Sequence, residues 1–293
     1  MIVSKENTAV GFVGLGIMGH SMAGHVLAAG YRLHVFNRSR SRADDLVAKG
    51  ARWHDSAGEV AAAADVVITM VGYPRDVEAI YLGPGGIVER ARPGAILVDM
   101  TTSSPELAER IAQAAKRRGL SALDAPVSGG DIGAREARLS IMVGGEPSAF
   151  DEALPILKLM GSNIVRQGGP GAGQHTKLCN QIVVAGTMLG VCEGLAYAKR
   201  SGLDPETVLK SIGGGAASSF LLTNMGARIL KGDFAPGFFV EHFIKDMSIA
   251  SAEAERLHVE LPALRLAKAM YEALAAQGRG REGTQALFKH YEP

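Results

Sequence analysis

Lys177, Asn180 and Gln181 stand within five residues of one another in GQHTKLCNQ, residues 173 to 181, at the head of a long apolar run. On a helix, residues three and four apart share a face, so the ammonium and the two amides project together. Burial biases a lysine towards its neutral form, which makes it a proton donor near neutral pH. Uncharged amides beside it can hold a substrate oxygen and orient the ammonium. A lysine in an exposed first turn fits the same helix pattern. A second cluster is DAPVSGG, residues 124 to 130, where Pro126 leads out of a strand to the Ser128 hydroxyl. With the backbone N–H groups of Gly129 and Gly130, that hydroxyl makes a compact seat for a carboxylate, although an ordinary Gly-rich turn reads the same way. Lys245 and Asp246, in HFIKDMSIA, have the composition of a surface ion pair, and spacing alone says no more.

Near the start of the chain, Gly14, Gly16 and Gly19 form G-x-G-x-x-G, directly after an apolar run and at the opening of a helical pattern. In that context the first glycine permits a tight turn, the second lets a pyrophosphate approach the backbone, and the third allows close helix packing. The backbone of Gly14, Leu15, Gly16, Ile17, Met18 and Gly19 is then a dinucleotide cradle, with the helix N-terminus attracting the phosphate charge. The second apolar run ends in VFNRSRSR. Asn37 stands where an NAD enzyme usually places an acid for the ribose 2′-hydroxyl. Arg38 and Arg40 can pair with a 2′-phosphate and Ser39 can donate to one, which favours NADP over NAD. A solvated arginine loop is the alternative. The eight histidines and two cysteines show no metal-ligand spacing, so chemistry without a metal is expected.

These residues need elements to position them. TAVGFVG, RLHVFN, ADVVITMV and AILVDMT read as buried strands, and the segments MGHSMAGHVLAAG and SRADDLVAKG between the first of them as helices closed by Gly30 and Gly50. Such alternation predicts an α/β domain with a mainly parallel, doubly wound sheet. Farther on, SPELAERIAQAAKRRG reads as an amphipathic helix, the start of SALDAPVSGG and RLSIMVGG as strands, and EPSAFDEALPILKLM as a helix interrupted or kinked by Pro155. Beyond GGPGAG, residues 168 to 173, strand signals cease. Helices are expected over 174–201, 204–213, 218–231, 242–258 and 262–277, giving a sheet domain over 1–167 and an all-helical domain over 168–293.

At 293 residues the chain suits two domains, and 47% hydrophobic with 21% charged residues describes a soluble globular protein. A formal net charge of +1 offers no basic field for nucleic acid. The N-terminal segment lacks the charged, apolar and small-residue zones of a secretion signal, so a cytoplasmic protein is expected. Cys179 and Cys192, on one helix, would lie about 20 Å apart, beyond disulfide reach. The run from Leu178 to Ala198 approaches membrane-spanning length, but Asn180, Gln181 and Glu193 make it a core helix instead.

Taken together, GFVGLGIMG at 11–19, DAPVSGG at 124–130, GAGQHTKLCNQ at 171–181 and KDMSIA at 245–250 closely resemble the β-hydroxyacid dehydrogenase family, in that family's order and over nearly the whole chain. The family includes 3-hydroxyisobutyrate dehydrogenase, tartronate semialdehyde reductase and the glyoxylate/succinic semialdehyde reductases. The resemblance implies a Rossmann-type domain joined by a long helix to an all-helical domain that commonly forms a dimer interface, and hence a homodimer or homotetramer. It implies Lys177 as catalytic acid/base, substrate binding by Ser128, Gly129 and Gly130, and cofactor contacts from Met70, Val71, Thr102 and Lys245. The implied reaction is hydride transfer between NADP(H), with NAD a possible substitute, and a short β-hydroxy acid or its semialdehyde. Two departures stand out. The family pattern G-x-x-x-K-x-x-x-N would place asparagine at Gln181, with Asn180 one residue earlier, and Gly283 stands where many relatives carry aspartate, so no one member's substrate specificity carries over. An imine reductase shares the architecture but usually lacks the lysine, and a non-catalytic NADP-binding module is the rival from another class.

Overall fold

Runs of Val, Ile and Leu form central strands when both of their faces meet apolar cover. In the structure, a computed structural model that describes residues 3–292, β1 (Ala9–Val13), β2 (Arg32–Phe36), β3 (Arg52–Trp53), β4 (Val66–Thr69), β5 (Ile96–Asp99) and β6 (Ser121–Asp124) pair in parallel. Val66, Ile68, Ile96 and Val98 enter the core on one face of this sheet, while Val67 and Leu97 enter the core on the other. That alternation is the two-residue period of a strand.

Three further strands, β7 (Val127–Ser128), β8 (Leu139–Gly144) and β9 (Gly161–Gly168), extend the sheet to the order β3-β2-β1-β4-β5-β6-β8-β7, with β9 paired to β8. β8 runs antiparallel to β6 and β7, and β9 parallel to β8. The apolar pattern finds β8 but not β9, whose sequence GSNIVRQG leaves most of its side chains facing solvent. It also misses the two-residue strands β3 and β7, which are too short to carry a period.

Because β1 lies between β2 and β4, the chain winds outward in both directions from the β1/β4 pair. Loops leaving the carboxyl ends of these two strands diverge there, which is where open α/β sheets bind ligands.

After β9 the described chain is helical, with helices Ala172–Arg200, Pro205–Ile212, Gly226–Leu230, Val240–Arg256 and Pro262–Leu274. Two compact units result, Met1–Lys177 and Leu178–Pro293, so the 29-residue helix starts in the first and continues through the second. The second has its own core: Met188, Cys192 and Leu195 of the long helix pack with Phe243, Met247, Tyr271 and Leu287. The Tyr271 hydroxyl, buried in it, donates to the Thr284 carbonyl at 2.8 Å.

Candidate active site

The three glycines after β1 each meet a different steric demand. Gly14 has φ +96°, and a Cβ there would stand 2.2 Å from the Met70 carbonyl oxygen. A Cβ on Gly19 would stand 2.0 Å from the Gly14 oxygen, so helix and turn touch backbone to backbone. Gly16 is different, since a Cβ there would meet nothing within 4 Å. Its lack of a side chain serves no internal packing and leaves open the space in front of helix Ile17–Ala28. That helix receives no side-chain cap and has no acid in its first turn. Its N-terminal N–H groups and positive dipole end are therefore suited to an anionic ligand.

Leu15 turns its side chain into the core, and its backbone N–H donates to Asn37 Oδ1 at 2.9 Å. Asn37 Nδ2 donates in turn to the Ser39 carbonyl at 2.9 Å, so this side chain ties the Gly-rich turn to the arginine loop. Arg38, Ser39 and Arg40 are exposed, and the Arg40 guanidinium lies 5.6 Å from the centre of the Trp53 ring. Between the Gly-rich turn and this loop is an open depression of about 340 Å³ lined by Leu15, Gly16, Ile17, His20, Arg42 and Asp45. His20 lies 2.8 Å from Asp45 Oδ1 and holds its carboxyl below the usual carboxylate range. Ile17 is exposed at the tip of the turn, and Met18 packs against the core.

The ends of β4 and β5 are wired together. Asp99 Oδ1 accepts from the Thr69 hydroxyl at 2.7 Å and from the Thr101 backbone N–H at 3.1 Å. The Thr101 hydroxyl accepts from the Val71 N–H at 3.0 Å. Met70, Val71 and Thr102 thus stand on a braced ledge at the carboxyl end of the sheet, where all three are half-buried.

The next strand end connects DAPVSGG to the lysine helix. Asp124, the last residue of β6, accepts the Gly171 N–H on Oδ1 and the Gln174 N–H on Oδ2, each at 2.8 Å. Gln174, fully buried, donates through Nε2 to the Thr101 carbonyl at 2.7 Å and accepts the Ser103 N–H at 2.9 Å. Lys177, one turn farther on, is only 6% exposed, which excludes the solvent-facing first-turn lysine. Ser128 is half-buried, and Gly129 and Gly130 follow with φ +131° and +64°, a pair of left-handed conformations that glycine adopts without strain. Burial pushes the Asp124 carboxyl up to about 6 against the pull of its two N–H donors, and nearby Asp99 adds to the rise.

In the helical unit, Asn180 Nδ2 donates to Gln181 Oε1 at 2.7 Å, and Gln181 Nε2 donates to Asp246 Oδ2 at 2.6 Å. Lys245 Nζ lies 2.9 Å from Asp246 Oδ1, with the carboxylate 1% and the lysine 13% exposed. The pair is therefore buried, a correction to the surface ion pair that its composition suggests. Gln181 has both ends of its amide engaged inside the protein and braces Asn180, which is only half-buried.

Asp99, Thr101, Asp124 and Gln174 carry no role in the motifs as read from sequence. Two of them carried a visible signal, an aspartate closing an apolar strand in ILVD and SALD.

Residues 171–291 match the family model described as NAD-binding of NADP-dependent 3-hydroxyisobutyrate dehydrogenase, and residues 9–169 match the NAD binding domain of 6-phosphogluconate dehydrogenase. The 2-hydroxy-3-oxopropionate reductase of Escherichia coli is 39% identical, over 97% of this chain and 97% of its own. The chain belongs to the 3-hydroxyisobutyrate dehydrogenase family. An oxidoreductase of Bacillus subtilis, YkwC, is 56% identical over 96% of this chain and 97% of its own. The 3-hydroxyisobutyrate dehydrogenase of Mycobacterium tuberculosis superposes with a TM-score of 0.89 at 30% identity, over all of both chains. Membership makes the protein an NAD(P)-dependent hydroxyacid dehydrogenase with a Rossmann-like domain and a helical C-terminal region.

Proposed function

We propose that this family member interconverts a short carboxylate-bearing aldehyde or 2-oxo acid and the matching hydroxy acid, with NADP(H) and with Lys177 as general acid and base. The observation that carries the reading is the setting of Lys177. It is buried, one turn beyond a helix start that Asp124 and Gln174 tie to the ends of β5 and β6. The end of β6 runs directly into Ser128, Gly129 and Gly130. A proton donor and a carboxylate seat therefore share one rigid frame.

The residues around β1 fit a dinucleotide: the open face of Gly16, the uncapped helix start and the absence of an acid in its first turn all favour a pyrophosphate. Arg38, Ser39 and Arg40 would hold a 2′-phosphate, and Met70, Val71 and Thr102 would lie along the nicotinamide. When bound, the nicotinamide supplies or accepts hydride at the reacting carbon. Ser128 and the N–H groups of Gly129 and Gly130 hold the carboxylate. The Lys177 ammonium gives its proton to the carbonyl oxygen during reduction, and the neutral amine takes it back from the hydroxyl during oxidation. Asn180, braced by Gln181, orients the reacting oxygen, while Gln181 acts from behind it.

The name of the Escherichia coli relative, a reductase of a three-carbon hydroxy aldehyde acid, supports this substrate class. Its test is NADPH consumption over glyoxylate and the succinic, methylmalonate and tartronate semialdehydes, with a cyclic imine as control. Turnover of the imine alone would overturn the reading. A homodimer or homotetramer is part of the proposal, since the long helix exposes Val183 at 67% and Tyr197 at 73% on a face that also carries Gly186 and Gly190. Light scattering that gives a monomer at micromolar concentration would remove that part.

A further inference from the structure

A helix leaves its first N–H groups without intrahelical partners, and a polar side chain just before the helix ordinarily caps them. The 29-residue lysine helix has no such residue, because GGPGAG, residues 168–173, carries no side-chain oxygen. Its cap comes from Asp124, 47 residues before Gly171 and 50 before Gln174. The approach is close enough that two glycines are required around the carboxylate. A Cβ on Gly173 would lie 2.8 Å from Asp124 Oδ2 and 2.5 Å from its carbonyl oxygen, and one on Gly144 would lie 2.4 Å from Oδ1. Gln174 supplies the second fixed point, at Thr101 and Ser103, and Asp99, the register partner of Asp124, fixes Thr101 in its turn.

Burying a carboxylate is unfavourable, and an ordinary cap lies in solvent. Here one carboxylate is enclosed, joined by both oxygens to a single turn of helix. Lys177 lies three residues beyond Gln174, so the strand end that becomes the Ser128 loop and the helix turn that carries the lysine are locked to each other through one side chain.

We propose that Asp124 is a positioning residue of the reaction, fixing Lys177 relative to the Ser128–Gly130 seat by capping the lysine helix from the end of β6, with Gln174 as its second anchor. The inference rests on Lys177 as the proton donor and extends that reading to residues that act through it.

The test compares Asp124→Asn and Gln174→Met with the wild type and with Lys177→Ala, using NADPH and whichever carbonyl acid of the panel is reduced fastest. Asparagine keeps the size of the side chain but turns an amide N–H towards a backbone N–H; methionine keeps the length of Gln174 without its hydrogen bonds. Each variant should lower kcat on the order of tenfold with the KM for NADPH within about twofold, and should raise the solvent deuterium isotope effect as proton transfer becomes slower. Amide exchange should quicken over residues 171–177 and stay unchanged in β1 and β4. In the Lys177→Ala background the same substitutions should change the residual rate by less than about twofold, because coupled positions are not additive. Unchanged kcat in both variants, an equal loss in the Lys177→Ala background, or a loss carried by the KM for NADPH would each overturn the positioning role while leaving the lysine reading intact. Wild-type turnover by Lys177→Ala would instead remove the premise and overturn both.

Discussion

The nucleotide turn and the start of the lysine helix are both uncapped by their own sequence, yet they are built in opposite ways. At helix Ile17–Ala28 the N-terminal N–H groups face open space in front of Gly16, with no acid in the first turn. At the lysine helix the corresponding groups of Gly171 and Gln174 are closed by a buried carboxylate. An open helix end receives an anion as ligand, and a closed one becomes a rigid mount. On the roles proposed above, the same physics, a partial positive charge at a helix N-terminus, would serve binding in one place and positioning in the other.

The largest expected effect lies at the mount. Lys177→Ala, if folded by circular dichroism, should lose on the order of 10² to 10⁴ in kcat, the ordinary contribution of a placed general acid. Near wild-type turnover by that variant would reduce the contrast to one of packing alone.

At the open end the contrast can be tested among the glycines. Gly14→Ala puts a methyl group 2.2 Å from the Met70 carbonyl at φ +96°. It should destabilise the protein by on the order of 1–3 kcal/mol or more, as overpacking against backbone does. Gly16→Ala meets nothing within 4 Å. It should leave the melting temperature of the ligand-free protein almost unchanged while weakening NADPH binding on the order of tenfold. Equal loss of stability in the two variants would mean that the space before Gly16 is not kept for a ligand.

The two ends also differ in how much of them could be read in advance. The nucleotide turn is legible because its demands are backbone demands met within a short stretch: Gly14, Gly16 and Gly19 lie in one turn, and Asn37 reaches back only to Leu15. The longer parallel strands followed from alternating apolar runs for the same reason. The mount was visible only in part. Lys177 and DAPVSGG are local patterns, but their connection depends on contacts spanning 47 to 73 residues, which no period or spacing encodes. Gln181 was equally opaque. Its amide donates to Asp246, 65 residues away, a contact that no local spacing announces. The strand β9 was missed because its solvent-facing side chains carry no apolar signal.

Two carboxylates let pH separate the ends. Asp124 rises from the ordinary 3.8 to about 6 on folding. Below pH 4 both folded and unfolded forms hold the proton. Between 4 and 6 the unfolded chain loses it first, so stability falls as pH rises through the folded value. The difference is on the order of 3 kcal/mol at neutral pH. Denaturant titration at pH 4.5 and 7 should therefore show wild type losing ground to Asp124→Asn at the higher pH. Asp45, beside the nucleotide turn, moves the other way, because the His20 hydrogen bond lowers its pKa. Its contribution is present above the ordinary carboxylate range and fades as pH falls. An equal gap between wild type and Asp124→Asn at both pH values would contradict the upward shift of the Asp124 carboxyl on folding.

The smallest effect concerns what the open end selects. Asn37 is committed to Leu15 and Ser39 and puts no charge where a ribose 2′-substituent would sit, while Arg38 and Arg40 stand exposed beside it. A charge-assisted hydrogen bond to phosphate contributes roughly 1.5–3 kcal/mol in a shielded site and less at an exposed one. Arg38→Ala and Arg40→Ala should therefore each raise the KM for NADPH by about fivefold to tenfold and leave that for NADH within twofold. The Arg40 variant should also lose the stacking on Trp53, a minor effect on stability of about 0.5–1 kcal/mol. Salt divides the two possibilities further: a 2′-phosphate contact weakens for NADPH as ionic strength rises, whereas a solvated loop changes neither cofactor. If wild type prefers NADH at equal concentration, the arginines belong to the solvent and the open end selects only the pyrophosphate.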